Sequence, residues 1–276
     1  MIAALPRLHA VTDDRVIARG DMVRRAEALA GQAGPLLAVH LRSRALAGGP
    51  LLELARELAG PLGEHGAWLV VNDRADVARA AGARAVQSPA RGLSVADVRR
   101  VAPGLLVGRS VHDGAAARAA AAEGADYLVV GSVFATASHP EQRPGGLALV
   151  GEAAAGGRQV IAIGGIRPEH TTDVLAAGAW GVAAIRALWD AADPAATAGE
   201  FVALLPAEVT LGVTVNGEPR RMRRGITLAE LLTDLALDPR AVVVEHNRRI
   251  VRREALATTG VCEGDQVELV HFVGGG

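Results

Sequence analysis

One rhythm governs residues 7–205. Short apolar runs rich in β-branched residues alternate with Ala/Leu/Arg segments of helical period: LHAVTD, LLAVHLRS, AWLVVND, RAVQS, LLVGRSVH, DYLVVGSVF, QVIAIGGI and WGVAAIRA are separated by stretches such as DMVRRAEALAGQAG and LLELARELAGPLG. The runs are nearly continuous hydrophobics rather than alternating, as strands buried on both faces require. Eight strands, each followed by a helix, in about 200 residues predict an α/β chain folded as a (β/α)8 TIM barrel. A doubly wound open sheet is the runner-up, but no GxGxxG follows the first strand.

The rhythm breaks after LLPAEVTLG. VTVNGEPRRM places Asn216-Gly217 between two strand-like runs, a strong hairpin signal. Thr227 can cap a helix LAELLTDLAL, with Glu230 three residues on completing a capping box. The runs AVVVEH, RRIV and DQVELVHFV follow. This predicts a barrel over 1–205, a linker over 206–209 and a small second domain over 210–276.

Composition narrows the function. The chain has 276 residues, half of them hydrophobic, and a formal charge of −1. Near-neutrality gives no footprint for nucleic acid or an anionic membrane, and no apolar run approaches a membrane span. No signal peptide is apparent, so the expected location is cytoplasmic. A single cysteine, Cys262, excludes an internal disulfide and a Cys-rich metal site. It reads as a small core or surface residue rather than a sulfur relay. All 29 basic residues are arginine. Schiff-base chemistry through a lysine is therefore excluded, and any phosphate contact from a cationic side chain must use guanidinium.

In a barrel of this kind chemistry sits at the C-terminal strand ends. Those positions hold Thr12, Asp13 and Asp14 after strand 1, then His40, Arg42 and Arg44 on one side of strand 2. Asn72 and Asp73 follow strand 3, Gln87 strand 4, and Ser110 and His112 strand 5. Strand 6 leads into Ser132, Thr136, Ser138 and His139. Gly164-Gly165 after strand 7, with Ile185 and Arg186 after strand 8, match a barrel phosphate cradle of backbone N–H groups. His9, His65, His170, His246 and His271 read as structural or surface residues.

The segment from VTVNGEPRRM through LAELL, VVVEHNRRIV and EGDQVE to the final glycines resembles the small sulfur-carrier protein ThiS of thiamine biosynthesis, a ubiquitin-like β-grasp fold. The resemblance implies a tail whose Gly275 and Gly276 enter a narrow channel. There a ThiF-like adenylating enzyme using ATP converts the Gly276 carboxylate to a thiocarboxylate, and a ThiG-like thiazole synthase is the sulfur acceptor. A side-chain-free tail suits a narrow channel, although the same glycines would suit a frayed end.

LHAVTDD, VHLRSR, VVNDRADVA, GRSVH, GADYLVVGSVF, IAIGGI and GVAAIRA resemble the thiamine-phosphate synthase superfamily. One branch joins a thiazole phosphate to a pyrimidine diphosphate with Mg²⁺; the other, the TenI-like thiazole tautomerase, shifts a proton on a thiazole carboxylate phosphate without a cofactor. The synthase pattern of Gln-x-Arg-x-Lys is replaced here by His40, Arg42 and Arg44. Its Asp after strand 4 falls at Gly92, and its Lys after strand 6 at His139. Asp73 remains as a possible Mg²⁺ ligand if the chain is a synthase. LHAVTDD, VHLR, VQ and GRSVH lean toward the tautomerase, whose catalytic histidine position after strand 6 holds Ser132. The expectation is a tautomerase with His139 as acid or base, and His40, His112 and Ser132 beside it. Arg42, Arg44, Asn72, Asp73, Gln87, Ser110 and Thr136 are read as substrate-binding. The alternatives are a synthase on the same carrier, or an inactive barrel that scaffolds it. The Ala/Leu-rich barrel helices leave room for a homodimer.

Overall fold

The computed structural model describes residues 5–136, 143–206, 210–223, 226–235, 237–262 and 264–271. The chain divides into two compact units, split between Leu205 and Pro206. Apart from Pro206, the expected linker lies outside the described residues.

The first unit is a closed barrel of eight parallel strands in sequence order: β1 (Leu8–Val11), β2 (Leu37–Leu41), β3 (Trp68–Asn72), β4 (Ala85–Ser88), β5 (Leu106–Val111), β6 (Tyr127–Val130), β7 (Gln159–Ile163) and β8 (Gly181–Ala184). Its continuous apolar runs are explained by two cores. Side chains on successive strand residues point to opposite faces. Leu37, Val39 and Leu41 therefore pack outward with helix residues such as Leu29, Leu58 and Leu62. Ala38, Trp68, Val70, Ala85, Tyr127, Val129, Ile161 and Ala183 fill the barrel interior. The β8–β1 pairing closes the barrel. Near it the Trp189 indole N–H donates to the Val11 carbonyl at 2.9 Å and that of Trp180 to the Leu5 carbonyl at 2.9 Å.

This alternation decides which residues reach the mouth. In β2, Ala38 sits in the interior core and places His40 on the same side two residues on; in β3, Trp68 and Val70 do the same for Asn72. His9 shares that face of β1 and is fully buried. Among the described residues, no helix is long and apolar enough to cross a membrane.

The second unit is a five-stranded mixed sheet: β9 (Thr210–Val215), β10 (Glu218–Arg223), β11 (Val242–His246), β12 (Arg249–Val251) and β13 (Gln266–His271), in the order β10-β9-β13-β11-β12. β13 runs parallel to β9 and the other pairs are antiparallel. Asn216 and Gly217 turn the first hairpin with φ of 51° and 79°, the positive pair that a two-residue hairpin favours. The helix Leu228–Asp234 carries the expected capping box. Glu230 accepts from the Thr227 amide at 2.8 Å, and its own amide donates to Thr227 Oγ1 at 3.3 Å. Leu228, Leu231 and Leu232 bury against Val213, Val244, Val267 and Leu269. A helix laid across a mixed sheet is the expected β-grasp arrangement. Cys262 is exposed, at the surface rather than in this core.

Candidate active site

The C-terminal strand ends of the barrel surround a cavity of about 1280 Å³. His40, Arg42, Arg44, Asn72, Gln87, Ser110, His112, Ser132, Thr136, Gly164, Gly165, Ile185 and Arg186 all line it. His139, Ser138, Gly275 and Gly276 lie outside the described residues, so the roles expected of them have no geometry here.

The basic edge is built from the first two βα loops. Thr12, buried at the end of β1, accepts from the Arg42 amide at 2.8 Å and donates to the Arg42 carbonyl at 3.0 Å, fixing that backbone. Asp14 accepts from the Ser43 hydroxyl and from the amides of Arg44 (3.1 Å) and Ala45 (3.2 Å). These bonds, led by the Ser43 hydroxyl, hold the Asp14 carboxyl below its ordinary pKa. Arg42 is half-buried, and neither its guanidinium nor that of Arg44 has an ion-pair partner among the described residues. Burial first, then the Arg44 charge, pulls the Arg42 pKa down. Asp13 and Asp14, which line the same cavity, offset part of this charge, but neither closes a salt bridge to Arg42 or Arg44 among the described residues, so both guanidinium groups keep donors for an anion.

The opposite edge offers backbone donors. Gly164 and Gly165 adopt φ of 110° and 65°. A Cβ on Gly164 would lie 2.7 Å from Ser132 Cα, and one on Gly165 would lie 2.4 Å from the Ala135 carbonyl oxygen. Only glycine lets β7 end so close to the loop after β6, where the Val133 and Phe134 amides donate to the Ile163 and Gly164 carbonyls at 2.9 Å each. The amides of Gly164, Gly165 and Ile185 donate to no group among the described residues.

The floor is polar. His40 is buried, with its Nε2 2.7 Å from His9 Nδ1 and its Nδ1 3.3 Å from the Asn72 side chain. Gln87 donates to Ser110 Oγ at 3.0 Å, while its Oε1 and the Tyr127 hydroxyl are buried without a hydrogen bond. His112 donates from Nδ1 to the Gly131 carbonyl at 2.6 Å, which leaves its Nε2 available.

Two expectations are corrected. Asp73 does not line the cavity: it is exposed, at φ 66° in the turn leaving β3. The Arg186 guanidinium is not a free phosphate ligand, because Asp13 (3.1 Å) and Asp190 (3.7 Å) hold it. Its place at the cradle is as part of the wall. Sequence reading missed Arg91, which lines the cavity from the loop after β4. That loop is anchored by Arg109, which donates to Ser88 Oγ at 2.8 Å and to the Ala90 carbonyl at 3.1 Å. An arginine three residues past a strand end was the available signal. His9 was missed as a neighbour of the site because it sits in a strand body.

Among the described residues, arginines without a salt bridge and amides without a partner, both at the mouth of a closed parallel barrel, define an α/β-barrel protein whose candidate site is suited to anions. Residues 8–188 match the family described as thiamine monophosphate synthase, and residues 213–276 match the ThiS family. The chain belongs to the thiamine monophosphate synthase family and carries a ThiS-family domain. The thiamine-phosphate synthase of Methanoculleus marisnigri is 44% identical over 198 residues, 69% of this chain and 91% of its own. That of Mycobacterium bovis is 40% identical over 217 residues, 74% of this chain and 96% of its own. A solved thiamine phosphate pyrophosphorylase from Pyrococcus furiosus superposes with a TM-score of 0.64 at 31% identity, covering 72% of this chain and 94% of that one. These findings place the chain in thiamine biosynthesis. The relatives bear the name of the joining enzyme, which was the alternative to the tautomerase expected from the motifs.

Proposed function

We propose that the barrel is a thiamine-phosphate synthase that joins a thiazole phosphate to a pyrimidine diphosphate. A carbon–nitrogen bond forms between the rings, the carbon–oxygen bond to the diphosphate breaks, and diphosphate leaves with the bonding pair. The observation that carries this reading is the Arg42/Arg44 pair at the mouth, which makes no salt bridge among the described residues. A departing diphosphate gathers negative charge, and guanidinium donors fixed beforehand stabilise it. Gly164 and Gly165, across the cavity, offer amides to the phosphate that is retained. The tautomerase reading is weaker on the same ground. Ser132 occupies the place of its catalytic histidine, and the described histidines at the cavity, His40 and His112, already bond protein groups.

Mg²⁺, which the resemblance implies for a synthase, is poorly matched by these side chains. Mg²⁺ ordinarily takes one or two carboxylates plus substrate phosphates; Asp73 stands off the cavity wall, and Asp13 and Asp14, which line it, are held by Arg186 and by Ser43 and the Arg44 amide. In this reading the arginines carry the leaving-group charge.

The ThiS-family domain is proposed to act as a sulfur carrier, activated at Gly276 by a ThiF-like enzyme with ATP and serving a ThiG-like thiazole synthase. Covalent fusion would raise the effective concentration of carrier and barrel near a shared route.

The test is a pair of incubations of the full chain: thiazole phosphate with pyrimidine diphosphate and Mg²⁺, and separately the thiazole tautomer phosphate. Thiamine phosphate in the first is expected. Turnover only in the second restores the tautomerase, and product in neither leaves a scaffold. Intact mass after treatment with the activating enzyme, ATP and a sulfur donor reads the carrier: replacement of one oxygen by sulfur is expected, and an unchanged mass refutes that half.

A further inference from the structure

We infer that His9 is a positioning residue. It holds His40 as the Nε2–H tautomer, so that Nδ1 of His40 faces the cavity as a hydrogen-bond acceptor and selects a ligand with an N–H donor at the floor. The inference follows from four groups in a row. The Pro6 carbonyl can only accept, and it lies 3.0 Å from His9 Nε2. His9 Nε2 therefore carries a proton. Both imidazoles are buried, and among the described residues no carboxylate bonds either ring; besides His40, whose ring centroid lies 5.0 Å away, His9 has Tyr127 as an aromatic neighbour at 6.1 Å between ring centroids. Burial lowers the pKa of His9 to about 4 and pushes that of His40 well down, so each ring carries a single proton near neutral pH. His9 Nδ1 is then a lone pair, and the atom 2.7 Å away, His40 Nε2, must be the donor.

The reverse assignment fails at one end or the other. A proton on His40 Nδ1 instead of Nε2 would set two lone pairs against each other at 2.7 Å. Moving the His9 proton to Nδ1 would set its Nε2 lone pair against the Pro6 carbonyl. It follows that Asn72 turns its amide nitrogen, not Oδ1, toward His40 Nδ1. Asn72 and His40 both line the cavity, and an incoming donor can replace this long 3.3 Å contact. An amine on a heteroaromatic ring satisfies such an acceptor, whereas a carboxylate placed there would meet a lone pair.

The experiment is nitrogen-15 NMR of the histidine-labelled full chain, with His40 assigned by His40→Gln. It is independent of which reaction the barrel performs. A pyridine-type Nδ1 and a pyrrole-type Nε2 are expected for His40; the opposite pattern overturns the inference. His9→Gln repeats the polarity, its NH₂ toward Pro6 and its carbonyl toward His40, and should keep both signals. His9→Phe removes the acceptor and should mix the tautomers and weaken binding of 4-aminopyrimidine about tenfold. Should His9→Phe not fold, the wild-type and His9→Gln spectra still decide. An unchanged His40 tautomer and affinity in a folded His9→Phe would show that His9 positions nothing.

Discussion

The carboxylate of Asp14 joins the first βα loop to the second, accepting from the Ser43 hydroxyl and from the amides of Arg44 and Ala45. It contributes no charge to the ligand itself; it sets where Arg42 and Arg44 stand. Asp14→Ala removes three acceptor contacts at once. We expect inorganic pyrophosphate to bind about tenfold more weakly, measured by titration calorimetry. The effect should be on affinity, since both guanidinium groups remain.

Arg42 separates binding from stability. Its guanidinium is half-buried beside another cation, so the folded state bears it at some cost. Arg42→Met keeps much of the packing and removes the charge. Pyrophosphate affinity should fall about 10- to 100-fold, while unfolding in urea shows a stability equal to the parent or about 0.5–1 kcal/mol greater. A matching loss of stability would mean that the residue is structural.

Gly164 and Gly60 predict opposite signs for the same substitution. Gly164→Ala places a methyl 2.7 Å from Ser132 Cα at a φ of 110°, and should cost about 2–4 kcal/mol by urea unfolding. Gly60 lies on the exposed side of the helix Gly48–Glu64, with nothing within 4 Å of an added Cβ. Gly60→Ala should therefore gain about 0.5–1 kcal/mol from helix propensity alone.

The buried His9 makes stability pH-dependent with a fixed sign. Its native pKa, about 4, lies below its ordinary 6.5, so the unfolded chain takes up a proton that the native state refuses. The contribution is whole above pH 6.5 and is lost as pH falls from there toward 4. By pH 5 it should have cost about 2 kcal/mol, and His40 adds in the same direction. The urea midpoint measured at pH 7 and pH 5 reads this, and His9→Gln should flatten the difference.

The sequence made the two architectures legible because each rests on local chemistry. Continuous apolar runs demanded strands covered on both faces; the Asn216-Gly217 turn and the Thr227–Glu230 box were spelled out in neighbouring residues. The ring of polar strand ends was legible for the same reason, since period two carries each strand's inward face to the mouth. What escaped depends on register between strands distant in sequence. His9 looks like a strand-body residue until Val11 pairs with His40 and brings the two rings together. Arg186 looks free until barrel closure brings Asp13 against it. Asp73 reads as a strand-end ligand, but its positive φ belongs to a turn. The choice between reactions leaned on short motifs, and the long alignments to synthases weighed more than they did.

The all-arginine character of the mouth has a further consequence. Guanidinium keeps its proton throughout the range in which such a fold survives, and lysine-directed acetylation has no target here. The cavity's positive field is thus a permanent fixture rather than a dial. Release of any multiply charged anion from such a field would be timed by the ionisation of that anion, by competing salt, or by motion of the walls.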